Sequence, residues 1–193
     1  MSTVRDALLT FARCCGLGER SAVYVSTPIT TGQSYLDWRR RDPGLHESHP
    51  RYASDHREQV VRGNLDRARE VVRAVRAAFA GPVIDPTLLC EVDGWGQVDY
   101  RSFWATVVER FAHTVVFVDG WQYSTGCAVE FETAARHRLT LLDERLRPLD
   151  PWLAVELLTS SSGELAAAGL DVSVLSAAAA RAGAAIGPAA RPR

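Results

Sequence analysis

Lysine is absent from this chain of 193 residues, so every one of its 22 basic side chains is arginine. That excludes any mechanism built on a Schiff-base lysine. Cysteine occurs four times, at Cys14, Cys15, Cys90 and Cys127. No CxxC spacing exists, and the adjacent Cys14 and Cys15 do not suit a metal knuckle, so buried reduced thiols are the expected state. His46-x-x-His49 lacks a third ligand, and no metal site is expected. The GxGxxG, Walker A and GxSxG patterns are missing, which leaves dinucleotide, P-loop and hydrolase-elbow readings without support. No apolar run approaches the roughly 20 residues of a membrane span. Arg5, Asp6 and Arg13 interrupt the first segment, so no signal peptide is expected, and a soluble cytoplasmic protein is. The net charge of −1 offers no general attraction to a nucleic-acid polymer or to an anionic membrane.

What is present is an ordinary globular composition, 47% hydrophobic and 23% charged, enough for one domain with a real core plus appendages. Val4, Leu8 and Phe11 step at helical spacing within residues 3–14, with Ser2 or Thr3 as a cap. "AVYVS" (Ala22–Ser26) reads as a buried strand. Residues 33–56 are polar and irregular, long for a connection, and read as a lid, an insertion or a mobile segment. Val61, Leu65, Ala68, Val72, Val75 and Phe79 mark a helix over 58–79. "GPVIDP" (Gly81–Pro86) is a turn, a short strand and a turn. Residues 87–100 read as a loop and 101–112 as a helix. "HTVVFV" (His113–Val118) is the most strand-like run, followed by a helix over 128–137 and a strand over 139–142. Asp150-Pro151 starts two alanine-rich helices near 151–168 and 172–183.

This alternation predicts an α/β, Rossmann-like (flavodoxin-like) fold, with a mainly parallel sheet, helices on both faces and a C-terminal helical extension. The boundaries expected are 1–20 for an N-terminal helix, 21–145 for the α/β domain, 146–186 for the extension and 187–193 for a disordered tail. Ligands of such sheets sit at the carboxyl ends of the strands. That rule gathers the loops Thr27–Gly32, Asp85-Pro86 and Asp119–Gly126 on one edge.

Within the third loop, Ser124-x-Gly126 at a helix start offers a hydroxyl and free backbone N–H groups, a place suited to a phosphate. A simple helix cap is the other reading of Ser124, and the two are compatible. Glu130 and Glu132 lie two residues apart, about 200° around a helix, so they cannot both face the cleft. Glu130 is the candidate and Glu132 a surface residue. Trp121 and Trp95 either stack on a base or pack. Arg39, Arg40 and Arg41 are either a solvated loop or a closure over phosphate.

"VYVSTPITTG", "VIDP" and "VVFVDGWQYSTGCAVE" together resemble the nucleoside 2-deoxyribosyltransferase-like superfamily, including its 2′-deoxynucleoside 5′-monophosphate N-glycosidases. The likeness covers about residues 22–142. It rests on Tyr24, Pro28, Ile29, Thr30 and Gly32, with one extra Thr before the Gly, and on Gly120, Trp121, Ser124, Gly126 and Glu130. It implies a glutamate nucleophile at Glu130, hydrogen-bonded by Tyr24, that attacks the anomeric carbon and releases the base. It also implies 5′-phosphate binding at Ser124 and Gly126. Thr27, Pro28, Ile29, Gly32 and Trp121 would line the sugar and base. The implied substrate is a small-molecule nucleotide or nucleoside, no cofactor is needed, and a homodimer or larger homo-oligomer is expected. Hydrolysis is preferred over base exchange by a deoxyribosyltransferase, and a non-catalytic nucleotide-binding or sensing domain is the rival of another class. The family's usual helix aspartate falls on Ala105 here, which favours that rival. Glu109, Asp119 and Asp85 are the candidate replacements; without an acid, base departure would be slow.

Overall fold

A computed structural model describes residues 2–187. The tail expected to be disordered lies outside the described residues, apart from Gly187. In chain order the elements are α1 (Ser2–Cys14), β1 (Ala22–Ser26), α2 (Gln33–Arg41), α3 (Tyr52–His56), α4 (Arg62–Ala78), β2 (Val83–Ile84), α5 (Gln97–Phe111), β3 (Ala112–Phe117), α6 (Thr125–Arg136), β4 (Thr140–Asp143), α7 (Pro151–Ala167) and α8 (Ser173–Ile186). The four strands form one parallel sheet in the order β2-β1-β3-β4. The chain leaves β1 towards one edge and returns to β3 on its other side. That makes the gap between the carboxyl ends of β1 and β3 the topological switch point of a Rossmann-like sheet.

Period-2 alternation along the strands divides the core. Tyr24, Val115, Phe117 and Leu141 face α5 and α6, with α7 and α8 packed outside in the same apolar cluster. Val23, Val25, Val116, Val118 and Leu142 face Val71, Val72 and Val75 of α4. The expected helices on both faces are therefore present, in unequal depth. Asp150 caps α7 as its sequence predicts, accepting from Trp152 N at 2.8 Å and Leu153 N at 2.9 Å, with Pro151 in the first turn.

Four expectations change. Residues 33–56 are not irregular throughout: α2 forms because Leu36 and Trp38 bury themselves while the polar residues stay outside. Its arginine run lies in the last turn, where cations complement the helix dipole. Helix 58–79 begins earlier, since α3 runs through a π turn (Arg57–Val61) into α4. Helix α5 also starts early, at Gln97, because the Asp99 carboxylate accepts the Gly96 N–H at 2.9 Å and caps the first turn. The thiols expected to be buried are not: only Cys127 is, while Cys14, Cys15 and Cys90 are exposed free thiols. No helix of the described residues is long and apolar enough to cross a membrane.

Candidate active site

At the switch point β1 ends in Tyr24-Val25-Ser26. Residues two apart on a strand share a face, so Tyr24 and Ser26 both point towards α6. There Glu130, only 6% exposed, receives both hydroxyls. Tyr24 Oη donates to Oε1 at 2.7 Å, and Ser26 Oγ donates to Oε2 at 2.6 Å. Each carboxylate oxygen is thereby held by one strand residue. Burial pushes the Glu130 carboxyl up to about 7, against the opposing pull of the Ser26 and Tyr24 hydrogen bonds. The Tyr24 phenol is raised well above its ordinary value, first by burial and then by the Glu130 charge. The Cys127 thiol, one turn before Glu130, is pushed up to about 12, chiefly by burial and then by Glu130. Near neutral pH the Glu130 carboxyl thus lies beside a neutral phenol and a neutral thiol.

Glu130 opens on a cavity of about 230 Å³. One wall is the loop after β1, with Thr27, Ile29, Thr30 and Thr31; the second is the start of α6, from Ser124 to Cys127. The third comes from α5 and the segment before it: Pro86, Leu89, Gln97, Tyr100, Arg101 and Trp104. The loop is fastened from behind. Asn64 donates to the Ile29 carbonyl at 3.0 Å and to that of Thr31 at 2.8 Å, and His56 Nε2 meets the Thr30 carbonyl at 2.7 Å. The π turn inserts one extra residue between His56 and Asn64, so their separation is about two whole helical turns and both reach the loop.

Ser124 is the N-cap of α6, its Oγ accepting from Cys127 N at 3.5 Å. The first backbone N–H groups of α6 have no partner within the helix and lie beside the cavity. A Cβ on Gly126 would meet only Ser124 Oγ, at 3.8 Å, so packing does not demand glycine there. An absent side chain leaves the backbone approachable instead.

The expected site residues are only partly gathered. Glu130, Thr27, Ile29, Ser124 and Gly126 line the cavity, and Tyr24 lies behind it against Glu130. Pro28, Gly32, Trp121, Asp85 and Asp119 do not line it. Gly32 has φ 93°, and a Cβ on it would sit 2.7 Å from Pro28; both shape the loop bend. Trp121 does not reach a base: it packs in the core between Phe117 and Phe131, with ring centroids at 4.7 Å and 5.2 Å. Asp85 caps the turn after β2, its Oδ1 accepting from Thr87 N at 3.0 Å and Thr87 Oγ1 at 2.6 Å. Asp119 belongs to the opposite side of the β3 loop, where its N–H is accepted by Glu144 at 3.1 Å.

Several other expectations resolve the same way. Trp95 packs on Tyr100 and Phe103. Arg40 pairs with Glu164 at 3.1 Å, and Arg39 bonds the Leu45 carbonyl, so neither closes over the cavity. Glu109 faces His137 at 3.5 Å, away from Glu130. Glu132 is not a surface residue: it is 6% exposed and pairs with Arg181 at 3.0 Å and Arg136 at 3.8 Å. Sequence reasoning passed over Ser26, Arg101 and Trp104. Ser26 was findable from its two-residue spacing to Tyr24. Arg101 and Trp104 lie three apart on α5, one helical face, but only the fold shows that this face meets the cavity.

No protein-family model matches the chain, and neither a curated protein nor a solved structure does.

Proposed function

We propose that this site cleaves the N-glycosidic bond of a nucleoside 5′-monophosphate, with Glu130 as nucleophile. The observation that carries the reading is a buried carboxylate held on both oxygens by Tyr24 and Ser26 and open to a cavity beside a helix N-terminus. The likeness of the Tyr24–Gly32 and Gly120–Glu130 segments to the nucleoside 2-deoxyribosyltransferase-like superfamily supports it further.

The two hydroxyls orient the carboxylate and stabilise its charge. A sugar seated between the β1 loop and α6 would present its anomeric carbon to Glu130. Ser124, the open N–H groups at Thr125 and Gly126, and the Arg101 guanidinium would receive the phosphate. Attack forms a glycosyl ester with Glu130 as the bond to the base breaks, and water then splits that ester. Exchange of bases by a deoxyribosyltransferase follows the same first step and differs only in what resolves the ester.

The test is release of free base from a panel of nucleoside monophosphates. Glu130→Gln is expected to abolish release, a loss on the order of 10⁴-fold or more, with nucleotide binding retained. Nucleotide binding without base release by the wild type would instead make this a sensing domain.

A further inference from the structure

The cavity wall contains one carboxylate, Glu130, and no second acid among the described residues. The other polar groups there are poor proton donors at neutral pH. Burial pushes the Cys127 thiol up to about 12, and the rest are a guanidinium, a phenol, aliphatic hydroxyls, an indole N–H and an amide, groups that ordinarily hold their protons at neutral pH. Asp85, next in sequence to the lining residue Pro86, has an oxygen engaged as an acceptor by Thr87. Position 105, on α5, is alanine. A neutral base leaves as an anion unless a proton reaches it in the transition state, and supplying that proton is worth on the order of 10²–10⁴ in rate. A base that is already cationic in the substrate needs no proton.

The wall also carries a group suited to such a base. Trp104 lines the cavity, and its ring centroid lies 5.9 Å from that of Tyr24, which holds Glu130. Indole is the strongest aromatic partner for a cation. Glu130, when ionised, adds a negative charge on the same side. Arg101 also lines the cavity and would oppose a cationic ligand unless an anion accompanied it. A 5′-phosphate is such an anion.

We infer that the substrate is a nucleoside 5′-monophosphate whose base is a quaternised, cationic nitrogen heterocycle, recognised by Trp104 and cleaved by Glu130 without a general acid. This rests on the glycosidase reading above. In the first step a Glu130 oxygen bonds to C1′, and the C1′–N bond breaks. Its electron pair stays on the ring nitrogen and neutralises the ring, so no proton moves. In the second, a water oxygen bonds to C1′, the ester bond breaks back to the Glu130 carboxylate, and the water proton passes to solvent.

A matched pair tests it: 7-methylguanosine 5′-monophosphate and guanosine 5′-monophosphate, identical except for the quaternising methyl group, with nicotinamide mononucleotide as a second cationic probe. Base release by the wild-type full chain is measured and uncatalysed rates are subtracted. Both cationic nucleotides are expected to be cleaved with kcat/KM on the order of 10² or more above that of guanosine monophosphate. With nicotinamide mononucleotide the rate is expected to rise to a plateau at alkaline pH, with no descending limb. Guanosine monophosphate cleaved within about tenfold of its methylated form would show that an acid serves and would overturn the inference, leaving the glycosidase reading standing. A descending alkaline limb would do the same. No release from any of the three, or from the wider nucleotide panel, would overturn both.

Discussion

At the scale of single residues, the ionisation of Glu130 links stability to the proposed chemistry. Its carboxyl titrates near 7 in the folded chain and near 4.5 as a free side chain. Between those values the folded state binds more protons than the unfolded one, so stability falls as pH rises through that window. Above it the whole cost of the buried charge is present, about 3 kcal/mol. Glu130→Gln removes the ionisation. Its denaturation free energy is expected to exceed that of the wild type by about 2–3 kcal/mol more near pH 8 than near pH 5. A difference that does not change with pH would mean that the folded protein leaves Glu130 freely ionised. In the proposed reaction the same titration would set the rate, because only the carboxylate could attack: kcat/KM should rise with pH and level off above about 7. Ser26→Ala takes away a hydroxyl that favours the charged form, so its acid limb should move up by about one pH unit. An unmoved limb would reduce Ser26 to a packing residue.

At the scale of elements, α6 does two jobs with residues two positions apart. Glu130 faces the sheet and the cavity, while Glu132 faces α8, where Arg181 donates to its Oε2 at 3.0 Å. The Arg181 side chain is 55% exposed and that of Glu132 only 8%, so water screens one partner and not the other. Arg181→Ala would leave a buried carboxylate with Arg136 alone, at 3.8 Å. A loss of about 1 kcal/mol is expected in the denaturation free energy, partly restored by Arg181→Lys; no loss would mean Arg136 suffices. This pairing also marks what local sequence reading can reach. The helix period says that Glu130 and Glu132 diverge, and strand alternation puts Tyr24 and Ser26 together. Whether the Glu132 side meets water or another helix depends on α8, some 40 residues later, and no local pattern carries that. Trp121 shows the same limit. Its place in a loop after β3 left stacking on a ligand and packing both open, and a short 3₁₀ turn rolls it inward onto Phe117 and Phe131. Parallel strands and the main amphipathic helices were legible because their periods are strong. The start of α5 and the whole of α2 were not, because a side-chain cap and two buried residues decided them.

At the scale of the whole molecule, the sheet is covered unequally. One face meets α4, and the other meets α5 and α6 with α7 and α8 as a further layer. The alanine-rich sequence of the last two helices predicts close packing without naming a surface. The surface is α6: Ala178, Ala179 and Ala182 lie in the same cluster as Ala128, Phe131, Ala134 and Ala135. Small side chains on both helices let the backbones approach, and Gly183 sits against Trp152 and Val155 of α7 in the same way, a Cβ there meeting both at just under 4 Å. The extension thus covers the outer side of the helix that carries Glu130. Removing residues 146–193 would expose Phe131, Ala134 and Ala135 on the outer side of α6, an apolar patch of the kind that drives association. It would also leave the Glu132 carboxylate without Arg181. A chain ending at residue 145 is therefore expected to bind a hydrophobic dye strongly, sediment as aggregates and release no base, although every cavity-lining residue is retained. A soluble, monomeric truncation that keeps its activity would show instead that the α/β layer stabilises the α6 helix alone and that α7 and α8 serve another purpose.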